Sequence, residues 1–226
     1  GIRDQPRSRG LGDVYKRHLL VVDDIRAVLG RVSAAIYGNP SYDVPVIGIT
    51  GTSGKTTTSY LIESAFRTAG HSVGMIGTTG SRINGVRVPS SLTTPEAPDL
   101  QRLFATMRDD GVHRIVMEVS SHSLLLGRVG GTRFRIGAFL NLSQDHLDFH
   151  HTMEEYFQAK ARLFTKDSGT CCDRAVICID DSWGLRMRDI AEASGCTPVT
   201  VSTTGNADYS AGPVSYTHLT LPTNRE

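Results

Sequence analysis

The chain has little of what marks an exported or membrane protein. Its 226 residues contain only four cysteines, at positions 171, 172, 178 and 196. These lack the spacing of metal ligands, and the adjacent pair Cys171 and Cys172 is a poor disulfide framework. No apolar run approaches the ~20 residues that cross a bilayer, and the N-terminus lacks the apolar core of a signal peptide. We therefore expect free thiols, no membrane insertion and a cytoplasmic location.

An excess of charge of one sign is missing as well. The 24 basic and 23 acidic side chains leave a formal net charge of +1, with no basic cluster in the middle of the chain. Neither a nucleic acid nor an anionic membrane is therefore favoured as a partner. At 226 residues and 39% hydrophobic content, the chain is long enough to bury one substantial core, with at most part of a second domain.

Both ends lack the periodicity of the rest. Residues 1–17 are rich in Arg and Gly, and residues 214–226 are equally unlike the segment before them. Both resemble translated sequencing-adaptor read-through, the alternative being ordinary disordered tails. We predict non-native tails at both ends and leave them out of the functional argument. Residues 18–43 contain a helix-like stretch with Asp23 and Asp24 as possible caps, followed by a turn at 38–40.

From residue 44 to about residue 213, strands and helices alternate. The apolar patterns predict strands at 44–50, 72–78, 114–119, 136–142 and 175–179, and helices at 56–69, 97–110, 152–164 and 182–193. The pair Asn84-Gly85 indicates a tight hairpin. Such repeated units predict an α/β fold, a mostly parallel sheet flanked by helices, with ligands bound at the carboxyl ends of the strands.

One stretch in this series has the pattern of a phosphate loop. Residues 46–58 read V-I-G-I-T-G-T-S-G-K-T-T-T, an apolar strand, a glycine-rich turn and the start of a helix. Gly51 and Gly54 allow the backbone N–H groups to approach an anion, and the helix N-terminus points at the same place. Lys55 is placed to reach terminal phosphates and Thr56 to ligate Mg²⁺. The alternative is a chance glycine turn, and the loop is more compact than the common G-x-x-x-x-G-K-[ST] form.

Two segments after predicted strands carry candidate metal ligands. Glu118 ends R-I-V-M-E and is placed to hold Mg²⁺, unless it is an ordinary acid at a strand end. In N-L-S-Q-D-H-L-D-F-H-H the best candidate is His146, whereas we expect His150 and His151 to lie in a solvated loop. A zinc site is a weaker alternative, because cysteine partners and an H-E-x-x-H pattern are lacking.

Lys160 lies on an apolar helix face. A T-x-x-E capping box at Thr152 starts the helix. The face consists of Met153, Phe157, Lys160 and Phe164. A buried lysine must be paired, extend its amine to solvent or lose its charge, and a neutral amine can add CO₂ to become a carbamate that binds Mg²⁺. From the pattern alone, a lysine that extends to solvent is favoured.

Together these motifs resemble the Mur ligase family, ATP-dependent enzymes that add amino acids to the peptidoglycan precursor. The resemblance covers residues 19–213. The motifs that carry it are G-T-S-G-K-T-T, L-T-T-P-E from Leu92, M-E-V-S-S-H from Met117, N-L-S-Q-D-H-L-D-F-H from Asn141 and Y-F-Q-A-K from Tyr156. T-T-P-E and E-V-S-S-H are most similar to the branch that adds the third residue of the peptide, a diamino acid.

The resemblance implies a role for each matched residue. The ATP-binding residues would be Gly51, Thr52, Ser53, Gly54, Lys55, Thr56 and Thr57. The Mg²⁺ ligands would be Thr56, Glu118, His146 and Lys160, the last as a carbamate. The catalytic residues would be Lys55, His146 and Lys160. The substrate-binding residues would be Thr93, Thr94, Ser120 and Arg128. For Lys160 the resemblance thus favours a modified amine over one that extends to solvent.

The implied reaction joins a diamino acid to UDP-N-acetylmuramoyl-L-alanyl-D-glutamate, through an acyl phosphate made with ATP and Mg²⁺. Residues 44–213 would be the central ATP-binding domain, cut short, and 18–43 the end of a UDP-binding domain and linker. We expect a monomer with no complete ligase activity by itself. The alternatives are another ligase of the superfamily, similar to folylpolyglutamate synthetase, or a module that binds ATP without turnover. Whether the added residue is meso-diaminopimelate or lysine, and whether Lys160 is carbamylated, stays open.

Overall fold

The computed structural model describes residues 21–88, 92–145 and 149–211, which form seven α-helices and nine strands. The helices are α1 (Ile25–Ile36), α2 (Pro40–Asp43), α3 (Lys55–Thr68), α4 (Ala97–Asp109), α5 (Ser121–Leu125), α6 (Met153–Ala161) and α7 (Ser182–Ala193). The strands are β1 (Val46–Thr50), β2 (Val73–Gly77), β3 (Gly80–Ile83), β4 (Val86–Val88), β5 (Arg114–Glu118), β6 (Phe134–Phe139), β7 (Ala175–Cys178), β8 (Val199–Ser202) and β9 (Tyr209–Ser210). A short 3₁₀-helix spans Lys166–Ser168.

All nine strands belong to one sheet, in the order β4-β3-β2-β5-β1-β6-β7-β8-β9. Only the β2–β3 and β3–β4 pairs are antiparallel; the other pairs are parallel. The predicted mostly parallel α/β sheet is therefore confirmed. Strand β1 lies between β5 and β6, so the segments that follow these three strands meet at one edge of the sheet.

Strand β1 is buried along its whole length, which explains its continuous apolar sequence. Val46 contributes to the larger of two apolar clusters, while Ile47 and Ile49 belong to a smaller one completed by Ile62 and Phe66 of α3. Side chains of a strand alternate between the two faces, so a strand covered on both sides is apolar throughout. The phosphate loop therefore starts from a rigid, central element.

The predicted hairpin is confirmed. Asn84 and Gly85 have φ angles of 51° and 83° and join the antiparallel strands β3 and β4. Two consecutive left-handed residues are the geometry of a type I′ turn, for which Asn-Gly is a preferred sequence. Asn84 also ties the turn to β2, because its Oδ1 accepts from the Val73 amide at 2.9 Å.

Helix starts follow their predicted caps. The Asp24 carboxylate accepts from the Arg26 amide at the start of α1, and the Thr152 hydroxyl from the Glu155 amide at the start of α6.

Helix α6 ends at Ala161, earlier than predicted, because the amides of Leu163 and Phe164 bond three residues back instead of four. Four of the helices and strands were not predicted, α2, α5, β8 and β9, and of these α2, α5 and β9 are too short to show a period.

Helix α1 packs against the body of the fold. A Cβ atom built on Gly30 would lie 2.4 Å from the Gly130 carbonyl oxygen, so the two backbones are in direct contact. The domain boundary near residue 44 stays a prediction.

All four cysteines are free. Among the described residues, no helix is both long and apolar enough to cross a membrane.

Candidate phosphate-binding site

The loop between β1 and α3 has the backbone geometry of an anion cradle. Gly54 has a φ of 85°, in the left-handed region that favours glycine. A Cβ on Gly51 would lie 3.0 Å from the Leu140 Cβ, so glycine lets the loop pass close to the end of β6. Helix α3 begins at Lys55, and no side chain at Gly54 covers its first N–H groups. These groups and the helix dipole are therefore directed at the loop.

Two lysine amines converge on one carbonyl of this loop. Lys55 Nζ donates to Gly51 O at 2.7 Å and to Thr52 O at 2.8 Å. Lys160 Nζ donates to the same Gly51 O at 2.9 Å. Burial lowers the pKa of Lys55, against the attraction of Glu118 and Asp145, which raises it. The loop thus holds two amines that an anionic ligand would stabilise.

Lys160 is buried, at 1% exposure, and does not extend to solvent. The expectation from the helix pattern alone is therefore wrong. The physical reason is that the amine finds an interior acceptor, Gly51 O, and a π face, with Nζ 4.3 Å from the Tyr156 ring centroid. Burial, aided by repulsion from Lys55, lowers the pKa of Lys160 to about 7. A substantial neutral fraction near neutral pH makes the amine reactive.

Glu118 lies beside the loop at the end of β5. Its partner in β1 is Ile49, and its side chain is fully buried. The carboxylate accepts from Thr78 twice, from the amide and from the hydroxyl, each at 3.0 Å. A Cβ on Gly77 would lie 2.2 Å from Glu118 Oε1, so glycine at 77 makes room for the carboxylate. The structure therefore holds this acid in a fixed position next to the loop.

Asn141, just after β6, was not assigned a role from the sequence. Its Oδ1 accepts from the amides of Thr52 and Ser53 at 3.2 and 3.0 Å, and its Nδ2 donates to Ser53 O at 3.2 Å. One side chain thus ties down both central residues of the loop. The only sequence signal was its position directly after a strand, in the N-L-S-Q-D-H segment.

The histidine segment is described in part. His146 lies outside the described residues. His150 is 1% exposed, and its Nε2 lies 2.8 Å from Ser121 Oγ, so the prediction of a solvated loop is wrong for this residue. His150 packs against the Tyr156 ring, with centroids 4.8 Å apart, which explains its burial. His151 is exposed, as predicted.

Two of the predicted substrate-binding residues lie on the Glu118 side of the site. Thr94 is buried, and its hydroxyl donates to the Glu118 carbonyl at 3.0 Å. The Thr93 hydroxyl lies 3.3 Å from that of Thr78, which in turn holds the Glu118 carboxylate. The T-T-P-E segment thus contacts the strand end that carries the acid.

The other two lie around α5. The Ser120 hydroxyl caps this helix by accepting from the Ser123 amide at 3.1 Å. Arg128 Nε lies 2.8 Å from Glu96 Oε1, an ion pair without hydrogen-bond alignment, and the Arg128 side chain is 19% exposed. In this structure the Arg128 guanidinium is therefore paired with a carboxylate of the protein itself, that of Glu96.

The remaining predicted ATP-binding residues lie in the loop and in the first turn of α3. Ser53 and Thr57 are exposed, and Thr56 is partly exposed in the first turn of α3. Of the predicted groups, Lys55 and Lys160 bond to the loop, and Glu118 lies at the end of the neighbouring strand β5. No cluster of three or more His, Cys, Asp or Glu side chains able to hold a metal occurs within residues 21–88, 92–145 and 149–211.

The chain is similar to known proteins over most of its length. The family described as "Mur ligase middle domain" matches residues 49–221. The UDP-N-acetylmuramoyl-L-alanyl-D-glutamate--2,6-diaminopimelate ligase of Corynebacterium glutamicum is 60% identical over 200 residues, which are 88% of this chain and 38% of that protein. The protein of the same name from Streptomyces avermitilis is 52% identical over 190 residues, covering 84% of this chain and 36% of its own.

Solved structures are also similar to this chain over most of its length. A structure of a UDP-N-acetylmuramoyl-L-alanyl-D-glutamate--2,6-diaminopimelate ligase has a TM-score of 0.71 at 33% identity, covering 84% of this chain and 39% of that chain. A bifunctional folylpolyglutamate synthase/dihydrofolate synthase from Yersinia pestis CO92 has a TM-score of 0.63 at 16% identity, covering 80% and 50%. The latter shares the fold alone. The chain spans little more than a third of the length of the two curated relatives.

Proposed function

Because the chain belongs to the Mur ligase family, whose middle domain it contains, we propose that it is the ATP- and Mg²⁺-binding part of a ligase of peptidoglycan precursor synthesis. Its relatives are named for UDP-N-acetylmuramoyl-L-alanyl-D-glutamate and 2,6-diaminopimelate. The proposed substrates are therefore this precursor and diaminopimelate, not lysine. Since the chain covers 38% of such a relative, the whole reaction is proposed for a longer cytoplasmic protein.

The observation that carries this proposal is the arrangement around the loop. Two lysine amines meet at Gly51 O, and the Glu118 carboxylate lies at the adjacent strand end. The loop amides and the N-terminus of α3 supply further positive potential. A triphosphate would take over the hydrogen bonds that Lys55 now makes to the carbonyls of Gly51 and Thr52.

The residues also fit Mg²⁺, which prefers oxygen ligands. The Thr56 hydroxyl, the Glu118 carboxylate and Lys160 as a carbamate would supply them, and His146 stays a prediction. The buried, partly neutral amine of Lys160 suits addition of CO₂. Bound magnesium would offset the negative charge of the phosphates.

In such a ligase the substrate carboxylate is activated as an acyl phosphate, and an amine then displaces phosphate. Lys55 and the loop would hold the transferred phosphoryl group, since positioning and electrostatics dominate this chemistry. Asn141 would keep the amides of Thr52 and Ser53 in place. Arg128 would exchange Glu96 for an anionic group of the precursor.

Nucleotide binding tests the proposal directly. Titrating the chain with Mg²⁺-ATP in a calorimeter should show one site, and Lys55→Met should weaken it at least tenfold, because hydrogen bonds to a charged group are lost. Lys166→Met is the matched control, since Lys166 lies in the 3₁₀-helix before β7. No heat of binding with the unmodified chain, or equal affinity of the Lys55 variant, would contradict the proposal.

A second titration separates the substrate classes. With Mg²⁺ and a non-hydrolysable ATP analogue present, UDP-N-acetylmuramoyl-L-alanyl-D-glutamate should bind in the micromolar to millimolar range and dihydrofolate should not. The reverse preference would favour a folate ligase, whose support at present is similarity of fold at 16% identity. Binding of ATP without either substrate would favour a module that lacks turnover.

A further inference from the structure

Tyr156 contacts three of the segments described above, although no role was assigned to it. It lies in the second turn of α6 and is 1% exposed. Its hydroxyl reaches the phosphate loop, its ring faces the Lys160 amine, and the same ring packs on His150. Few side chains could make these contacts together, because they need a large flat ring with a polar end.

The contact with the loop is made through Thr52. The Thr52 hydroxyl donates to the Tyr156 hydroxyl at 3.3 Å, lies 3.2 Å from Ser143 O and accepts from the Ser143 amide at 3.0 Å. Thr52 is the residue after Gly51, whose carbonyl binds both lysine amines. A shift of the Tyr156 hydroxyl would therefore displace the part of the loop that faces Lys160.

The other contacts fix the ring. Lys160 Nζ lies 4.3 Å from the ring centroid, and the ring of His150 lies 4.8 Å away at an interplanar angle of 31°. His150 is anchored in turn to Ser121 Oγ at 2.8 Å, next to the end of β5. The chain of contacts therefore runs from the loop through Tyr156 to the E-V-S-S-H segment.

We propose that Tyr156 is a positioning residue that fixes the phosphate loop relative to Lys160 and to the segment after β5. A tyrosine that only fills the core would not need its hydroxyl, whereas here the hydroxyl is the link to the loop. The inference rests on the proposed nucleotide site for its functional consequence. Removing the hydroxyl should loosen the loop at Thr52, although Asn141 and Ser143 still hold it, and the entropy of ordering this part of the loop would then reduce nucleotide affinity.

The test uses Tyr156→Phe, which keeps the ring and removes the link, with Tyr42→Phe as the matched control. Tyr42 is an exposed residue of α2 whose ring packs under Arg133. Hydrogen exchange in the nucleotide-free chain should become faster at the amides of residues 52–54 in Tyr156→Phe only. The dissociation constant of Mg²⁺-ADP should rise about threefold to tenfold, the loss of one hydrogen bond.

A double variant separates positioning from packing. If the link acts through Thr52, adding Tyr156→Phe to Thr52→Val should weaken Mg²⁺-ADP binding no further than Thr52→Val does alone. Additive effects, unchanged loop exchange, or a lower melting temperature with unchanged affinity would each overturn the inference. Failure of the unmodified chain to bind Mg²⁺-ADP would instead overturn the proposed function, because the exchange experiment needs no nucleotide.

Discussion

Lys160 shows how a single side chain gains its chemistry from its surroundings. The amine is held inside the protein by Gly51 O and the Tyr156 ring, and Lys55 is close enough to repel its charged form. Each of these neighbours comes from a different part of the chain or from the preceding helical turn. Burial is the largest cause of the lowered pKa, so the charge on this lysine costs folding free energy near neutral pH.

A pH-dependent stability difference follows from this pKa. The ordinary value of 10.5 applies to the unfolded chain, and the folded value is about 7. Between these values the unfolded state binds more protons, so the free energy of unfolding should rise with pH. Relative to Lys160→Met, the unmodified chain should gain on the order of 3 kcal/mol between pH 7 and 9.5.

Urea unfolding at several pH values in CO₂-free buffer measures this difference, and the effects of titrating groups remote from Lys160 cancel between the two proteins. A constant gap between the two curves would show that Lys160 keeps an ordinary pKa in the folded state.

At the scale of elements, the strand, loop and first helix turn behave as one unit. Strand β1 is held on both sides by parallel neighbours, and α3 packs on it through Ile62 and Phe66. The loop between them is therefore fixed at both ends, and its backbone can adopt an unusual conformation while the loop keeps its position. Gly54 carries that conformation, with a φ of 85°.

Gly54→Ala tests this unit against a matched glycine. Gly70 has nearly the same φ, 82°, and open space around a built Cβ. Alanine at either position should cost about 1 to 2 kcal/mol of stability, because a left-handed conformation is strained for alanine. Only Gly54→Ala should also weaken Mg²⁺-ATP binding, by tenfold or more, since its methyl group would stand in the loop proposed to hold the phosphates.

Thermal unfolding and calorimetry of the two variants give both quantities. Equal effects on nucleotide affinity would mean that Gly54 serves the fold and not the site.

At the scale of the whole molecule, the question is whether the segment before β1 belongs to the body. Helix α1 lies against α4 and the turn at Gly130 and Gly131. Neither Gly30 nor Gly130 has a side chain at the point where their backbones meet. The helix therefore approaches more closely than two ordinary residues would allow.

Gly30→Ala distinguishes a docked helix from a linker by whether it lowers or raises the melting temperature. In an exposed helix, alanine in place of glycine stabilises by about 1 kcal/mol. At Gly30 the added Cβ would meet backbone atoms of Gly130 at 2.4–2.6 Å, so we expect a lower melting temperature and faster tryptic cleavage after Arg26 and Arg31. A higher melting temperature would mean that α1 is not docked on the body of the fold.

The sequence alone was sufficient for features that depend on neighbours along the chain. Alternating apolar segments predicted the α/β sheet, Asn84-Gly85 the hairpin, and G-T-S-G-K-T the turn between β1 and α3, because φ preferences and periodicity are local properties. The caps at Asp24 and Thr152 were predicted for the same reason, since a cap acts within three residues.

Only the tertiary structure decided how the site is held together. Lys160 reaches Gly51 across 109 residues, Tyr156 reaches Thr52 across 104, and Asn141 reaches Ser53 across 88. Periodicity shows which face of an element is apolar but not which distant group will lie against it. The burial of Lys160 and His150 and the roles of Asn141 and Tyr156 depend on such contacts, which exist only once the parallel strands bring these segments to one edge.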